Sequence, residues 1–576
     1  MAEENREEGF WDVVIVGTGL IESIVASGLS IKGYSVLVLD PNSSYGGLYN
    51  TLKLPTLHAW MSDSPEHSSS AFETSSFSEK EYDSQAYSCL TPVEAEVVKK
   101  IHLDMMPKIL YCRGHLVEMI LACDISGYLE FQGIEDVYLV DNQSSQLTRT
   151  PLSKRDVFSS SDLNLVEKRQ VMRLFSGVRD ILEISRIEEK VDLDLISDPF
   201  RTPAFISNSQ NNARKSHPNR VQDTPNGINI TNVATFSDFQ DLWKISDRVM
   251  DLVKFNIVFS SLPQNDQFDW ENNFKRYFNL LLSSLNQHGC TGTPFLYPNY
   301  GTCDLPQSFS RLAAVKGSLQ RLGTRISSIQ VQEGKEQVHS IRIDSNCSEE
   351  TVRCKLILGA SSHISSHAKV PTDFLVENRV LCYFMVLNQP LITAEMSQNQ
   401  RKLSFAGIKI GQDPSKSGIA YLLQCDHLTG CCPNGYYIVY INKVLERQET
   451  IPEARNLVQD AISRLLSKEG RETRVLYKAS YIYSQRVENP QMLEEGLMLL
   501  PDPSVNSNSF FLLDEDVDKA ILTLDKSLKF LNSQTEETTT FQSFSSPKGL
   551  QETKQEPTNQ GYSDQYVIKR LQSILG

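Results

Sequence analysis

The sequence predicts an α/β protein: a doubly wound domain extended by a further β-sheet, plus a smaller all-helical domain. Three observations carry this expectation. The chain opens on a strand, glycine turn, helix and strand; helical spacing dominates much of residues 156–289; and strand-like patterns take over beyond Pro294.

The opening unit is WDVVIVGTGLIESIVASGLSIKGYSVLVLD. Val13 to Val16 form a short continuous apolar run, as expected of a strand buried on both faces. Ile21, Ile24, Val25, Gly28 and Leu29 recur at helical spacing, Gly33 ends the helix, and Val36 to Leu39 form the second strand before Asp40. From Ser62 to about Pro92 serine and glutamate replace aliphatics. Such a segment buries too little apolar surface to offset chain ordering, so a disordered insertion is expected over residues 61–97.

Order is expected to return in residues 98–129, where Leu103, Met106, Ile109, Leu110, Leu116, Met119 and Ile120 suggest helical structure interrupted at Gly114. Phe131 and Val137 to Val140 read as strand. A helical domain follows over residues 156–289, with helices at Leu163 to Phe175, Phe239 to Phe259 and Phe274 to Leu285, and a loop insertion over 197–229. Strands are expected at Arg325 to Gln332, Val338 to Ile343 and Val352 to Leu358, the first turn lying at Glu333 to Lys335, and again at Val380 to Leu387 and Tyr436 to Ile441. Ala454, Leu457, Val458, Ala461, Ile462, Leu465 and Leu466 mark an amphipathic helix packed on that sheet. Residues 10–60, 130–155 and 290–530 then make up a discontinuous main domain, and 532–564 a disordered tail.

Composition narrows the function. At 576 residues with 40% apolar content, the chain can build its core without disulfides. Its 11 cysteines include no C-x-x-C pair, and the acidic start MAEENREEGFW is unlike a secretory leader, so a reducing cytosol is expected. Cys425, Cys431 and Cys432 lack partners at zinc-like spacing, and no metal is assigned. No window approaches the roughly 18 apolar residues of a membrane span, and the final QSILG has no cysteine for prenylation. A net charge of −15 disfavours nucleic acid and suits a partner with a basic surface or tail.

The glycine turn is incomplete. A dinucleotide fingerprint needs G-x-G-x-x-G, its third glycine allowing helix and strand to pack closely. Gly17 and Gly19 are present, but Glu22 holds the third position, where a carboxylate repels a diphosphate and fills space the fingerprint keeps empty. Asp40 sits where an acid would bind a ribose. The unit therefore reads as a nucleotide-binding fold whose site has gone out of use, with no cofactor bound; no Ser/His/Asp set or paired-carboxylate signature supplies another catalyst.

GTGLIES at Gly17 to Ser23, with NSSYGG at Asn42 to Gly47, resembles the start of the Rab GDP-dissociation inhibitor and Rab escort protein superfamily. TPFLYPNYGTCDLPQSFSRLAAVKG, from Thr293 to Gly317, resembles its Y-P-x-Y-G-x-G-E-L-P-Q-x-F-x-R-L-x-A-x-x-G-G signature, and LDMMPKILYCRGHLVEMILACDISGYLEF, from Leu103 to Phe131, resembles a further shared block. The resemblance covers most of residues 10–360 outside the insertions. It implies a flavoprotein-like fold in which the first two motifs meet as a platform for a GDP-bound Rab GTPase. Tyr45, Asp304, Gln307 and Arg311 fall at platform positions. Asp304 replaces a Glu, Cys303 a Gly and Ser318 the second glycine of a pair, and Leu319 and Gln320 also depart from the pattern.

DVFSSSDLNLVEKRQVMRLF, from Asp156 to Phe175, resembles the region through which escort proteins dock on the α subunit of the Rab geranylgeranyltransferase α/β heterodimer. Phe158 and Arg169 match the two docking residues. The resemblance thus implies a non-catalytic escort that binds newly made Rab GTPases, presents their C-terminal cysteines for prenylation and delivers the product in transient contact with membranes. Residues 98–129 would hold the GTPase tail, with Leu103, Ile109 and Met119 as groove residues, and the helical domain would shelter the geranylgeranyl lipid. The alternatives are a Rab GDP-dissociation inhibitor and a flavin-dependent oxidoreductase.

Overall fold

The computed structural model of this chain describes residues 10–539 apart from 63–75, 142–145, 189–232, 261–267, 271–273, 291, 332–338, 346–347, 365–366, 369, 372–374, 394–402, 412–417, 447, 468–472 and 506–510. Val13 to Val16 have no polar side chain to present to water, and the strand Phe10–Val16 accordingly lies inside a sheet. It pairs in parallel with Val36–Asp40 on one side, Val13 opposite Val36, and with Ser348–Ala360 on the other, Val13 opposite Leu356. The sheet order is Leu319–Leu322, Val36–Asp40, Phe10–Val16, Ser348–Ala360, His339–Ser345, Arg325–Gln330, with Leu497–Leu500 and Gln491–Glu494 joined at Ser348–Ala360.

Helix Leu20–Ile31 covers one face of this sheet and ends before Gly33, whose φ of +88° suits glycine. Its outer side is closed by the helix Asp514–Thr539: a Cβ on Gly28 would lie 2.5 Å from the Leu524 side chain, so the two helices touch through the glycine.

A second sheet runs Phe77–Tyr82, Val475–Val487, Leu375–Leu387, Tyr437–Val444, Gly418–Cys425, Ser404–Ile410, Asp136–Val140, Leu147–Arg149. Sequence reading had not located Ser404–Ile410, Gly418–Cys425 or Val475–Val487. The amphipathic helix Ile451–Ser467 buries Ala454, Val458, Ala461, Ile462 and Leu465 in a core shared with Leu381, Met385, Ala406 and Ile441 of this sheet. The helical region contributes Leu165–Glu188, Phe236–Trp243, Asp247–Asn256 and Lys275–Ser284. It is tied to the rest by Asp518, which accepts from His115 Nδ1 and from Arg276 Nη2, each at 2.7 Å.

Several expectations need correction. Within the insertion expected to be disordered, Phe77–Tyr82 is an edge strand and Ser84–Ser88 and Pro92–Val98 are helices. Phe77 is buried against Tyr481 at 4.8 Å, Tyr82 meets His58 edge-on at 5.2 Å, and the edge of Val475–Val487 satisfies the backbone, while Ser78, Glu79 and Glu81 face water. Residues 63–75 lie outside the described residues.

The block 98–129, expected to be helical, has strands His102–Asp104 and Leu110–Tyr111, and only His115–Ala122 is α-helical. Leu103, Met106, Ile109, Leu110, Leu116, Met119 and Ile120 are all buried, and in such a run helical and strand spacing cannot be told apart. The helix expected over Phe239 to Phe259 is two helices separated at Lys244, whose φ is +48°. The tail expected to be disordered from residue 532 begins inside the helix that ends at Thr539; the remainder, like the 197–229 loop and the turn at Glu333 to Lys335, lies outside the described residues. Among the described residues no helix is long and apolar enough to cross a membrane, and no His, Cys, Asp or Glu cluster is arranged to hold a metal.

Candidate functional site

The glycine turn is built, and its own chain fills it. Gly17, at φ +115°, donates to the Leu39 carbonyl at 2.7 Å and turns the chain into the helix Leu20–Ile31. Glu22 folds back over the turn, so that a Cβ on Gly19 would lie 2.6 Å from its Oε2 and a Cβ on Gly17 3.2 Å from its Oε1. Burial, reinforced by the charges of Asp40 and Asp502, raises the Glu22 carboxyl to about 7. The other side is covered by the Asn42–Gly47 loop: Gly46 N donates to Thr18 O at 3.2 Å, and a Cβ on Gly47 would lie 3.2 Å from Gly19 N.

Asp40, at the position where an acid would bind a ribose, accepts from Thr18 Oγ1 at 2.6 Å and from Asn42 N and Nδ2 at 2.8 and 3.0 Å. The cavity that remains, lined by Gly17, Gly19, Glu22, His363 and Asp502 among others, has a volume of about 30 Å³. That is room for roughly two waters. A flavin dinucleotide does not fit these residues.

Against the same turn the two sequence motifs meet. Asp104 is buried and organises the start of the helix Asp304–Val315: it accepts from Thr302 N at 3.0 Å, from Thr51 Oγ1 at 2.6 Å and from the Tyr297 hydroxyl. Thr51 Oγ1 in turn accepts from Cys303 N at 3.2 Å. Leu305, Phe309, Leu312 and Ala313 form the buried face of the helix, and Ser310 Oγ meets Ser23 Oγ at 3.0 Å, fixing it to Leu20–Ile31.

Asp304, Gln307 and Arg311 fall at helical spacing on the outer side, Gln307 and Arg311 exposed and Asp304 partly so. Burial and then the nearby Asp104 raise the Asp304 carboxyl above its ordinary pKa. Tyr45 is half-buried on the adjoining loop, its carbonyl accepting from Cys303 Sγ at 3.3 Å. The structure thus brings all four expected platform residues together.

It also adds residues that the sequence did not single out. The Arg311 guanidinium stacks 4.0 Å from the centre of the exposed Tyr128 ring. Tyr300 is 58% exposed with φ +64°, held by its N–H to Thr429 O at 2.7 Å. Its place in the Y-P-x-Y run was a signal for it, as was the place of Tyr128 in the shared Leu103 to Phe131 block. Of the departing residues, Gln320 turns back to donate to Ser310 O at 2.6 Å, while Leu319 is exposed beyond the end of the helix, as is Val315 near that end.

The second expected site is also on the surface. Ser153 and Asp156 form a reciprocal cap that starts the helix Lys154–Ser159, and Asn164 caps Leu165–Glu188 through bonds from Val166 N and Glu167 N, both 2.9 Å. Val171, Leu174, Val178 and Leu182 take the buried stripe of the longer helix. Phe158 is left 71% exposed, in company with Leu165, Val166 and Arg169, and Lys168 Nζ reaches its carbonyl at 3.2 Å. Leu165 and Val166 were overlooked, although both lie off the buried stripe.

The third expected group is elsewhere. Leu103, Ile109 and Met119 are all buried in the main core, so they offer no groove surface to a tail. In the helical region Phe274 stacks on Phe278 at 5.3 Å and packs at a tilt against Phe239 at 4.8 Å, filling the interior with aromatic rings.

Residues 1–81, 85–197 and 205–466 match the GDP dissociation inhibitor family. The chain belongs to that family. Among its relatives, the Rab proteins geranylgeranyltransferase component A of Drosophila melanogaster is 27% identical over 75% of this chain and 73% of its own. Rab escort protein 1 of Arabidopsis thaliana is 26% identical over 60% of each. Rab GDP dissociation inhibitor beta of Rattus norvegicus is 23% identical over 77% of this chain and 82% of its own. Among solved structures, a Rab GDI from Plasmodium falciparum superposes with a TM-score of 0.60 at 17% identity, covering 90% of this chain and 98% of that one. An oxidoreductase from Methanosarcina mazei reaches 0.50 at 12% identity, covering 90% and 100%. The GDP dissociation inhibitor fold is thus a mixed α/β fold shared with oxidoreductases, here with its glycine turn closed.

Proposed function

We propose that this chain is a Rab escort protein, the accessory component that binds a GDP-bound Rab GTPase on the Tyr45, Asp304, Gln307 and Arg311 surface and presents it to Rab geranylgeranyltransferase. The work of catalysis belongs to the transferase. The observation that carries this reading is Phe158, 71% exposed, with Leu165, Val166 and Arg169 exposed at the start of the helix that follows. An aromatic ring left in water, with an exposed guanidinium eleven positions further on, has the make-up of an interface hot spot. Similarity to proteins named component A and Rab escort protein supports it. After lipid transfer the same chain would carry the geranylgeranylated GTPase to a membrane.

The test is prenylation of a Rab GTPase by purified transferase with and without this chain. Wild type stimulates the reaction, and Phe158→Ala weakens docking about 10- to 30-fold, the range of a single hot spot. Because Phe158 contributes little to the core, the variant's melting temperature stays at the wild-type value. Absence of stimulation by wild type, or full stimulation by Phe158→Ala, overturns the escort reading. Similarity to Rab GDP dissociation inhibitor beta over 77% of the chain favours a second reading, extraction of prenylated Rab from membranes. Extraction without any stimulation of prenylation would select it.

A further inference from the structure

Between the two halves of the platform lies a buried thiol, Cys303, at a position where the resembling signature has glycine. Its Sγ donates to the Tyr45 carbonyl at 3.3 Å and accepts from Gln307 Nε2 at 2.9 Å. The loop yields space to it: Gly46 is at φ +107°, and a Cβ there would lie 2.8 Å from the sulfur. One side chain therefore links the Asn42–Gly47 loop to the exposed face of the helix Asp304–Val315, across 258 positions of sequence.

We propose that Cys303 is a positioning residue of the platform, its thiol holding the Tyr45 loop and the Gln307 side chain in one arrangement ready for the partner. The inference rests on the Rab-binding reading above. Burial first of all raises the thiol to about 11, so at neutral pH it stays protonated and remains a donor. Gln307 is otherwise a long, exposed side chain with several rotamers. Pinning its amide before the partner arrives removes ordering entropy from the binding step. The effect belongs to affinity, because the bonds are few and sit at the rim of the core.

The experiment measures the dissociation constant for a GDP-loaded Rab GTPase together with the melting temperature, for wild type, Cys303→Ala and Cys303→Ser. Alanine removes both bonds, and binding weakens about three- to tenfold, the net worth of one or two hydrogen bonds. Serine keeps a donor and an acceptor at the same place and restores affinity to within about twofold of wild type. Melting temperatures of both variants stay near that of wild type. Unchanged affinity in Cys303→Ala overturns the proposal, as does a serine variant as weak as alanine, or affinity losses that simply follow losses in melting temperature. Failure of wild type itself to bind any GDP-loaded Rab GTPase sinks the underlying Rab reading instead.

Discussion

Glu22 shows how much one side chain can decide. At the helix start it replaces a small residue, and in the fold its carboxyl covers the backbone that a diphosphate would approach. Because burial raises its pKa to about 7 from an ordinary 4.5, the folded chain holds this proton more tightly than the unfolded chain. Its contribution to stability is complete below pH 4.5 and is lost as pH rises through about 7. Wild type should therefore lose stability relative to Glu22→Gln across that window, by at most roughly 3 kcal/mol. Urea denaturation of both proteins at a series of pH values checks this; parallel profiles would refute the assignment. Phe158 makes the opposite point: at 71% exposed it contributes little to the core.

At the scale of elements, the sheet and its covering helices are held by close contacts that leave little slack. The helices Leu20–Ile31 and Asp514–Thr539 meet at Gly28, where an added Cβ would stand 2.5 Å from Leu524. Gly28→Ala should cost about 1–3 kcal/mol by overpacking, in spite of alanine's better helix propensity. Chemical denaturation of Gly28→Ala, with Gly28→Ala/Leu524→Ala as the relief variant, separates the two effects. If the single variant is as stable as wild type, the contact is looser than described. The Asp304–Val315 helix is held in the same way, by the buried Asp104 network at its start and by Ser23 along its side, which is why its outer residues make a fixed surface.

Across the whole molecule, a mixed α/β fold shared with an oxidoreductase is present with the space beside its glycine turn closed. Glu22, the Asn42–Gly47 loop and the self-satisfied Asp40 leave about 30 Å³ beside the turn. Protein purified from cells should show no visible flavin band, and flavin adenine dinucleotide in excess should not raise its melting temperature. A ligand at 100 times its dissociation constant would stabilise by about 2.7 kcal/mol, so a rise is easily seen, and one would contradict the closed turn. The same sheet-and-helix frame carries two exposed surfaces: the Asp304, Gln307 and Arg311 face beside the glycine turn and the Phe158 patch on the helical region.

The sequence by itself determined the opening strand, turn, helix and strand, the missing third glycine, the hairpin strands after Pro294 and the helix Ile451–Ser467, because each is written in local spacing or in one residue's shape. It also singled out Tyr45, Asp304, Gln307, Arg311 and Phe158 through resemblance. Only the tertiary structure decided that Leu103, Ile109 and Met119 belong to the core, that the low-aliphatic segment Phe77–Tyr82 joins a sheet edge, and that Tyr128 supports Arg311. The physical reason is range: periodicity reports which face of one element is apolar, whereas burial and hydrogen bonding depend on residues far away in the chain. Cys303, which departs from the signature in sequence, becomes a junction only when Tyr45 is folded against it.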